Sequence, residues 1–191
     1  MATTMGARPA VGGAVSSAPR DPRDQTVLGM ALSIACRSGG LQVAMALARQ
    51  YGLTAADVRA HGALRGACAG GHLAVAQWLA AAFGLGPADA RESHGEAFHR
   101  ACVNGHLATA QWLAAHFGLT AADARAYGDW LQTVAVAGNP EMTRWLAGRL
   151  GAPADEVASH AADGRTLAGT VAQNGHQAVA AWLAAAFGLV P

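Results

Sequence analysis

The sequence from Ala67 to Leu79 reads ACAGGHLAVAQWL, and it returns almost unchanged from Ala101 to Leu113 as ACVNGHLATAQWL. Weaker copies of the same pattern begin at Ala35, Val134 and Val171. When the five copies are aligned on one glycine, they lie 32, 34, 33 and 37 residues apart. Self-similarity at a period in the low thirties is typical of stacked two-helix repeats.

Each copy predicts two helices that are joined at the glycine. Glycine adopts the left-handed conformation that closes a helix, so the chain can reverse direction there. The apolar residues between Leu73 and Phe83 then have the spacing of a helix that faces a core. No unit could bury such a face alone, so we expect an all-α fold, an α-solenoid of about five stacked helix-turn-helix repeats. The predicted first helices cover residues 27–37, 63–69, 96–103, 130–136 and 166–173.

The repeats leave a different segment at the start of the chain. Residues 1–24 are rich in Ala, Gly, Ser, Thr and Pro and show no apolar periodicity, which predicts a flexible arm. The repeat domain then covers residues 25–191, with order beginning near Thr26. Its predicted units cover residues 25–61, 62–94, 95–127, 128–163 and 164–191.

A short helical turn and an exposed connector are predicted between successive units. Thr54 and Thr120 are each followed three residues later by Asp, which is the pattern of a capped helix start. Pro87 and Pro153 occupy the same place, at a position that suits proline, and each is followed two residues later by a helix-start aspartate, Asp89 or Asp155. The predicted connectors cover residues 59–62, 91–95, 125–128 and 159–164.

The charge balance gives no sign of an anionic partner. The chain has 13 basic and 12 acidic residues, and every basic residue is arginine. A net charge of +1 provides no field that would attract nucleic acid, and no apolar run is long enough for a membrane span. We therefore expect neither partner. Three cysteines without a secretory signal indicate a reducing, intracellular location, in the cytoplasm or the nucleus.

Several stretches resemble the ankyrin repeat. Its helix-loop sequence is similar to Asn104-Gly105-His106-Leu107, and its opening Leu-His is similar to Phe98-His99. No unit carries the full Thr-Pro-Leu-His opening, and the units look like divergent ankyrin units of some protists and large DNA viruses. The resemblance, which covers about residues 26–189, implies a stacked scaffold or adaptor that binds proteins.

The residue types that could carry chemistry recur in register, which favours packing. We expect the tryptophans and cysteines to pack between helices, and the histidines after the glycine to hydrogen-bond a neighbouring backbone. One histidine per unit places these rings too far apart to share an ion. We therefore expect no metal, no cofactor and no enzymatic activity. The recurring residues are Trp78, Trp112, Trp145, Trp182, Cys36, Cys68, Cys102, His72, His106 and His176.

Residues that vary between units are the candidates for partner contact. They lie in the connectors and on the first-helix face, and they include the Arg, Tyr and Trp types that often anchor interfaces. Trp130 is off the tryptophan register, in a position where other units carry alanine. We expect another protein to bind this surface. The candidate residues are Arg59, His61, Arg91, His94, His99, Arg125, Tyr127, Asp129 and Trp130.

Two other functions remain open at this point. A nucleic-acid-binding helical repeat could use the connector arginines and the tryptophan register, against the near-neutral charge. The chain could also be a terminal segment of a larger array or self-associate through its last helix. That helix, predicted over residues 177–189, carries no charge, although terminal repeats usually need a polar outer face.

Overall fold

A computed structural model describes residues 21–120, 122–123, 130–150 and 167–187 of the chain. These residues are all-helical, and no strand occurs among them. The helices are α1 (Pro22–Arg37), α2 (Leu41–Gln50), α3 (Ala55–Ala60), α4 (Ala63–Ala69), α5 (Leu73–Phe83), α6 (Pro87–Val103), α7 (Leu107–Phe117), α8 (Trp130–Val136), α9 (Pro140–Leu150), α10 (Leu167–Gln173) and α11 (Gln177–Phe187).

The glycine on which the repeats align ends the first helix of every described pair. Gly71 has a φ of 73° and separates α4 from α5. A φ in this range is strained for residues with a side chain and accessible to glycine. The backbone N–H groups of Gly71 and His72 close the end of α4 by bonding to the carbonyls of Cys68 and Ala67. The predicted glycine turn is therefore confirmed, and it recurs at Gly39, Gly105, Gly138 and Gly175.

The helices pack in two series along the chain. In the first series α1 contacts α4, α4 contacts α6, α6 contacts α8 and α8 contacts α10. In the second series α5 contacts α7 and α9 contacts α11. Each second helix also packs against the first helix of its own pair, as α5 does against α4. The apolar core therefore runs along the described helices as one continuous cluster.

One leucine position of the second helix shows how this core is built. The residue eight positions after the aligned glycine is fully buried in four pairs. Burying a leucine side chain stabilises the folded state by about 1.5–3 kcal/mol, so this position stabilises each of the four pairs by a similar amount. The four leucines are Leu79, Leu113, Leu146 and Leu183.

Two predicted boundaries were wrong. Helix α1 begins at Pro22, before the predicted start near Thr26, because Asp21 accepts a hydrogen bond from the Arg23 N–H at 2.8 Å and caps the helix. Helix α6 runs through residues 91–95, which were predicted to form an exposed connector. Gly95 lies inside this helix, buried and with a φ of 84°, so tertiary packing encloses a segment whose composition is typical of a loop.

Among the described residues, no helix has the length and apolar character required to cross a bilayer.

Candidate protein-interaction surface

The histidine that follows the glycine ties each pair of helices to the preceding pair. His72 Nε2 lies 3.0 Å from the carbonyl oxygen of Arg37 and donates a hydrogen bond to it. His106 Nε2 donates in the same way to the Ala69 carbonyl at 3.1 Å. Both acceptors lie near the end of the preceding first helix, where carbonyl groups lack helical partners. The predicted hydrogen bonding to a neighbouring backbone is confirmed for these two histidines.

The histidine ring also explains why glycine is required at the turn. A methyl group at Gly39 would come within 2.6 Å of the His72 ring, which is closer than van der Waals contact allows. The ring of His106 is similarly close to Gly71. Glycine is therefore needed for two reasons, the positive φ and the close approach of the next unit's side chain. At these positions the glycine and the histidine both serve the contact between successive units.

The recurring tryptophans pack rather than forming an exposed ladder. Trp78, Trp112 and Trp182 are partly buried against the core. Each makes an edge-to-face contact with the phenylalanine five residues later, with ring centroids 5.6 Å apart for Trp78 and Phe83. This geometry is a favourable one for aromatic pairs. The packing prediction is confirmed for these residues.

The three cysteines are buried, as predicted. Burial raises the pKa of Cys36 and Cys68 to about 12, and it raises the pKa of Cys102 further. A thiol with such a pKa stays protonated near neutral pH and is a poor nucleophile. These side chains therefore act as small apolar groups.

Two arginine–aspartate pairs join successive units, and sequence reasoning missed both. Arg59 Nε lies 2.5 Å from Asp89 Oδ1, and Arg91 Nε lies 2.5 Å from Asp123 Oδ1. The hydrogen bond from Arg59 lowers the pKa of Asp89, and that from Arg91 lowers the pKa of Asp123 to about 2. Separations of 30 and 32 residues, close to the repeat period, were the signal that could have revealed them.

The same aspartates also cap their own helices, as predicted. Asp89 accepts from the Gly86 N–H at 2.7 Å, and Asp123 accepts from the Thr120 N–H at 2.8 Å. Asp57 does the same for Thr54 at 2.7 Å. A carboxylate at the third helical position satisfies backbone donors that have no helical partner. The equivalent predicted residue Asp155 lies outside the described residues.

A polar cleft opens on the side where α3, α4 and α6 meet. Its volume is about 140 Å³, and both positively and negatively charged side chains line it. Glu96 accepts from Arg65 at 2.7 Å and from Arg100 at 3.1 Å, and these arginines, Arg65 foremost, lower its pKa. Glu92 is exposed at the rim, where its charge acts on Arg59. The lining residues are Val58, Arg59, Ala60, Gly62, Leu64, Arg65, Leu85, Asp89, Glu92, Glu96 and Ala97.

Of the candidate contact residues, Arg59 lines this cleft, and the side chains of five others are not described. Arg59 and Arg91 are exposed although they are paired, and His61 and His99 are partly buried. Burial lowers the pKa of His99. His94 and Trp130 lie on α6 and α8, but their side chains are not described. Three candidates lie outside the described residues, namely Arg125, Tyr127 and Asp129.

Within the described ranges, no group of three or more His, Cys, Asp or Glu side chains is arranged to hold a metal ion.

No protein-family model matches this chain, and no curated protein matches it. What can be said of function therefore rests on the geometry above.

Proposed function

We propose that this chain is a non-enzymatic, ankyrin-like solenoid that binds another protein through the side of the molecule formed by its connectors and first helices. One observation carries the proposal. The recurring glycines, histidines, tryptophans and cysteines are engaged in packing or in contacts between units, whereas charged residues remain exposed around the cleft. A preordered surface of this kind binds with a reduced entropic cost because its side chains are already positioned.

The solenoid part of the proposal is supported by the repeated junctions. Successive first helices contact one another in chain order, and the same histidine position reaches back to the same carbonyl position at two junctions. The glycine turn with a positive φ recurs in all five described pairs. The helix pair joined at Asn-Gly-His-Leu is the feature in which the sequence resembles ankyrin units, and a stacked array explains all of these contacts.

The cleft supports a polar, mixed-charge partner. Arg59, Arg65 and Glu96 are already positioned by ion pairs, while Glu92 lies exposed at the cleft and takes part in neither of those pairs. Charged groups that are already fixed contribute orientation and specificity to an interface more than they contribute affinity. We therefore infer that the partner contributes a basic or hydrogen-bonding side chain that meets Glu92.

The test is an affinity or proximity-labelling comparison between the intact chain and Glu92→Arg. Reversing an exposed charge leaves the core unchanged but opposes a partner that meets Glu92. We expect the partner set recovered with the intact chain to be lost or reduced at least ~10-fold in Glu92→Arg, which is the effect of placing a like charge at an interface.

Gln77→Arg provides the matched control. Gln77 is exposed on α5, and the equivalent position in a later unit is Arg144, so the fold already accepts arginine there. This variant should recover the same proteins as the intact chain. If Glu92→Arg and Gln77→Arg recover identical sets in identical amounts, the cleft side is not the binding surface.

A further inference from the structure

The first helix pair exposes an apolar patch on α1 and α2. Val27, Met30, Ile34 and Val43 have 64%, 55%, 68% and 57% of their surface exposed. Single exposed apolar side chains are normal, but Val27, Met30 and Ile34 are spaced three and four residues apart and so share one face of α1, a grouping characteristic of a surface that another molecule covers. We refer to these three residues and Val43 as the end patch.

The repeat register shows that the position of Val43 is normally buried in this chain. Val43 lies four residues after the aligned glycine, and the residues in the same place in the other four pairs are 1%, 1%, 0% and 1% exposed. Leu47 follows the same rule, since it is partly buried whereas its equivalents are fully buried. Each of those equivalents belongs to a pair that follows another pair. The four equivalents of Val43 are Val75, Thr109, Met142 and Val179.

The opposite end of the described array is also incompletely covered. The position three residues before the aligned glycine is buried in the first four pairs and partly exposed in the fifth, where it is Ala172. The last described helix, α11, carries no charged residue. The fifth pair therefore presents the kind of small, apolar surface that covers the next pair elsewhere in the chain.

We propose that a second copy of this chain docks head to tail, with its end patch on the fifth helix pair of the first copy. The contact would reproduce the junction that the chain already forms between its own successive pairs. The patch on one copy and the fifth pair on the other are different surfaces. The association is therefore heterologous, and it builds open-ended oligomers rather than a closed two-fold dimer.

The junction between copies lacks the polar ties found inside the chain. The position of His72 and His106 is glycine in the first pair, Gly40, so no side chain reaches back to a carbonyl. Helix α11 itself contains no arginine, so it supplies no arginine–aspartate pair. Contact is then apolar, with little sensitivity to salt.

The experiment measures the mass of the full chain by analytical ultracentrifugation from about 5 to about 500 µM, a range in which micromolar association is detected. We expect the average mass to rise with concentration, at low and high salt alike. Val43→Glu should weaken association at least ~10-fold, because a desolvated carboxylate is costly at an apolar contact. Gln42→Glu is the control. Its position is exposed in every described pair and is already Glu141 in the fourth, so association should be unchanged.

Mixing distinguishes head-to-tail docking from a symmetric dimer. Labelled Val43→Glu retains an intact fifth pair, so it should bind the end patch of the unlabelled wild-type chain and sediment faster in its presence. It should also shorten wild-type oligomers by ending them. A wild-type chain that stays monomeric throughout, a Val43→Glu variant that associates normally, or a labelled variant that fails to bind wild type would each overturn the proposal.

Discussion

At the scale of single residues, the contacts between units depend on a few polar groups that reach across a junction. The Ala69 carbonyl receives two of them, His106 Nε2 at 3.1 Å and Asn104 Nδ2 at 2.7 Å. The Arg37 carbonyl, at the preceding junction, receives His72. The two junctions therefore use the same acceptor position but differ in the number of side-chain donors that reach it. The contribution of each donor to stability can be measured by removing the donors to the Ala69 carbonyl one at a time.

Removing the two donors to Ala69 should be non-additive. In either single variant, His106→Ala or Asn104→Ala, the remaining side chain still satisfies the carbonyl, so we expect a loss of about 0.5 kcal/mol in the free energy of unfolding. The double variant leaves the carbonyl unpaired and should cost more than the two singles together, about 1.5–3 kcal/mol. Urea unfolding of the four proteins measures this cycle. Strict additivity would contradict a shared acceptor.

At the scale of secondary-structure elements, helix α6 combines features that sequence reasoning assigned to two segments. Its start was predicted from Pro87 and Asp89, and its end at Val103 was predicted from the glycine turn. The segment between them contains charged residues and Gly95, which is the composition of a connector. Packing of α6 against α4 encloses Gly95 and overrides that local tendency. Long-range contacts of this kind are absent from a local sequence window.

A side chain at Gly95 should therefore destabilise the fold through the backbone conformation rather than through a clash. A methyl group there has room, since its nearest neighbours would be 3.7 Å and 4.0 Å away, but the φ of 84° is unfavourable for alanine. We expect Gly95→Ala to lower the free energy of unfolding by about 1–2 kcal/mol. Gly148→Ala is the control, because Gly148 lies inside α9 with open space around it. That change should raise stability by about 0.4–1 kcal/mol. Equal effects in thermal unfolding would refute the distinction.

The arginine–aspartate pairs join elements of neighbouring units, and they make the free energy of unfolding depend on pH in the acid range. The folded-state pKa of Asp123 is lowered to about 2, whereas an aspartate in the unfolded chain has a pKa of about 4. As the pH falls, the Asp123 carboxylate is therefore protonated at a higher pH in the unfolded chain than in the folded chain. Stability contributed by Asp123 is present above pH 4 and is lost as the pH falls from about 5 to about 2. The lowered pKa of Asp89 acts in the same direction.

Asp123→Asn should reduce this acid sensitivity. We expect the variant to lose less free energy of unfolding than the wild type between pH 7 and pH 3, measured by urea unfolding at each pH. Arg91→Gln should have a similar effect because it removes the group that lowers the pKa of Asp123. If both variants keep the wild-type dependence on pH, the pairing does not contribute to stability in solution.

At the scale of the whole molecule, the cost of a substitution should depend on where a unit lies along the array. Leu79 and Leu47 occupy the same repeat position, but Leu79 is fully buried and Leu47 only partly. Leu79→Ala should lower the free energy of unfolding by about 2–5 kcal/mol. Leu47→Ala should cost less than half as much, because less apolar surface is lost. Denaturant unfolding of both variants checks this, and equal costs would contradict an open first unit.

The sequence predicted the regular part of this molecule well and its exceptions poorly. Helices α4 and α5 have the predicted bounds, and glycine ends each first helix, because a periodic pattern fixes both. The ion pairs that Arg59 and Arg91 form with aspartates of the next unit were missed, because they depend on how neighbouring units are placed. The end patch was missed because an apolar residue such as Val43 looks the same in sequence whether or not a neighbour covers it.

The close fit between a turn glycine and the next unit's side chain has a consequence for how such a chain can change by recombination. The glycine belongs to one unit and the ring that faces it belongs to the next, so exchanging whole units keeps the glycine but replaces its neighbour. Gly71 faces His106, and Gly105 faces Asn139 instead. A glycine turn therefore accepts either side chain, and unit shuffling or duplication can proceed without a compensating change at the boundary.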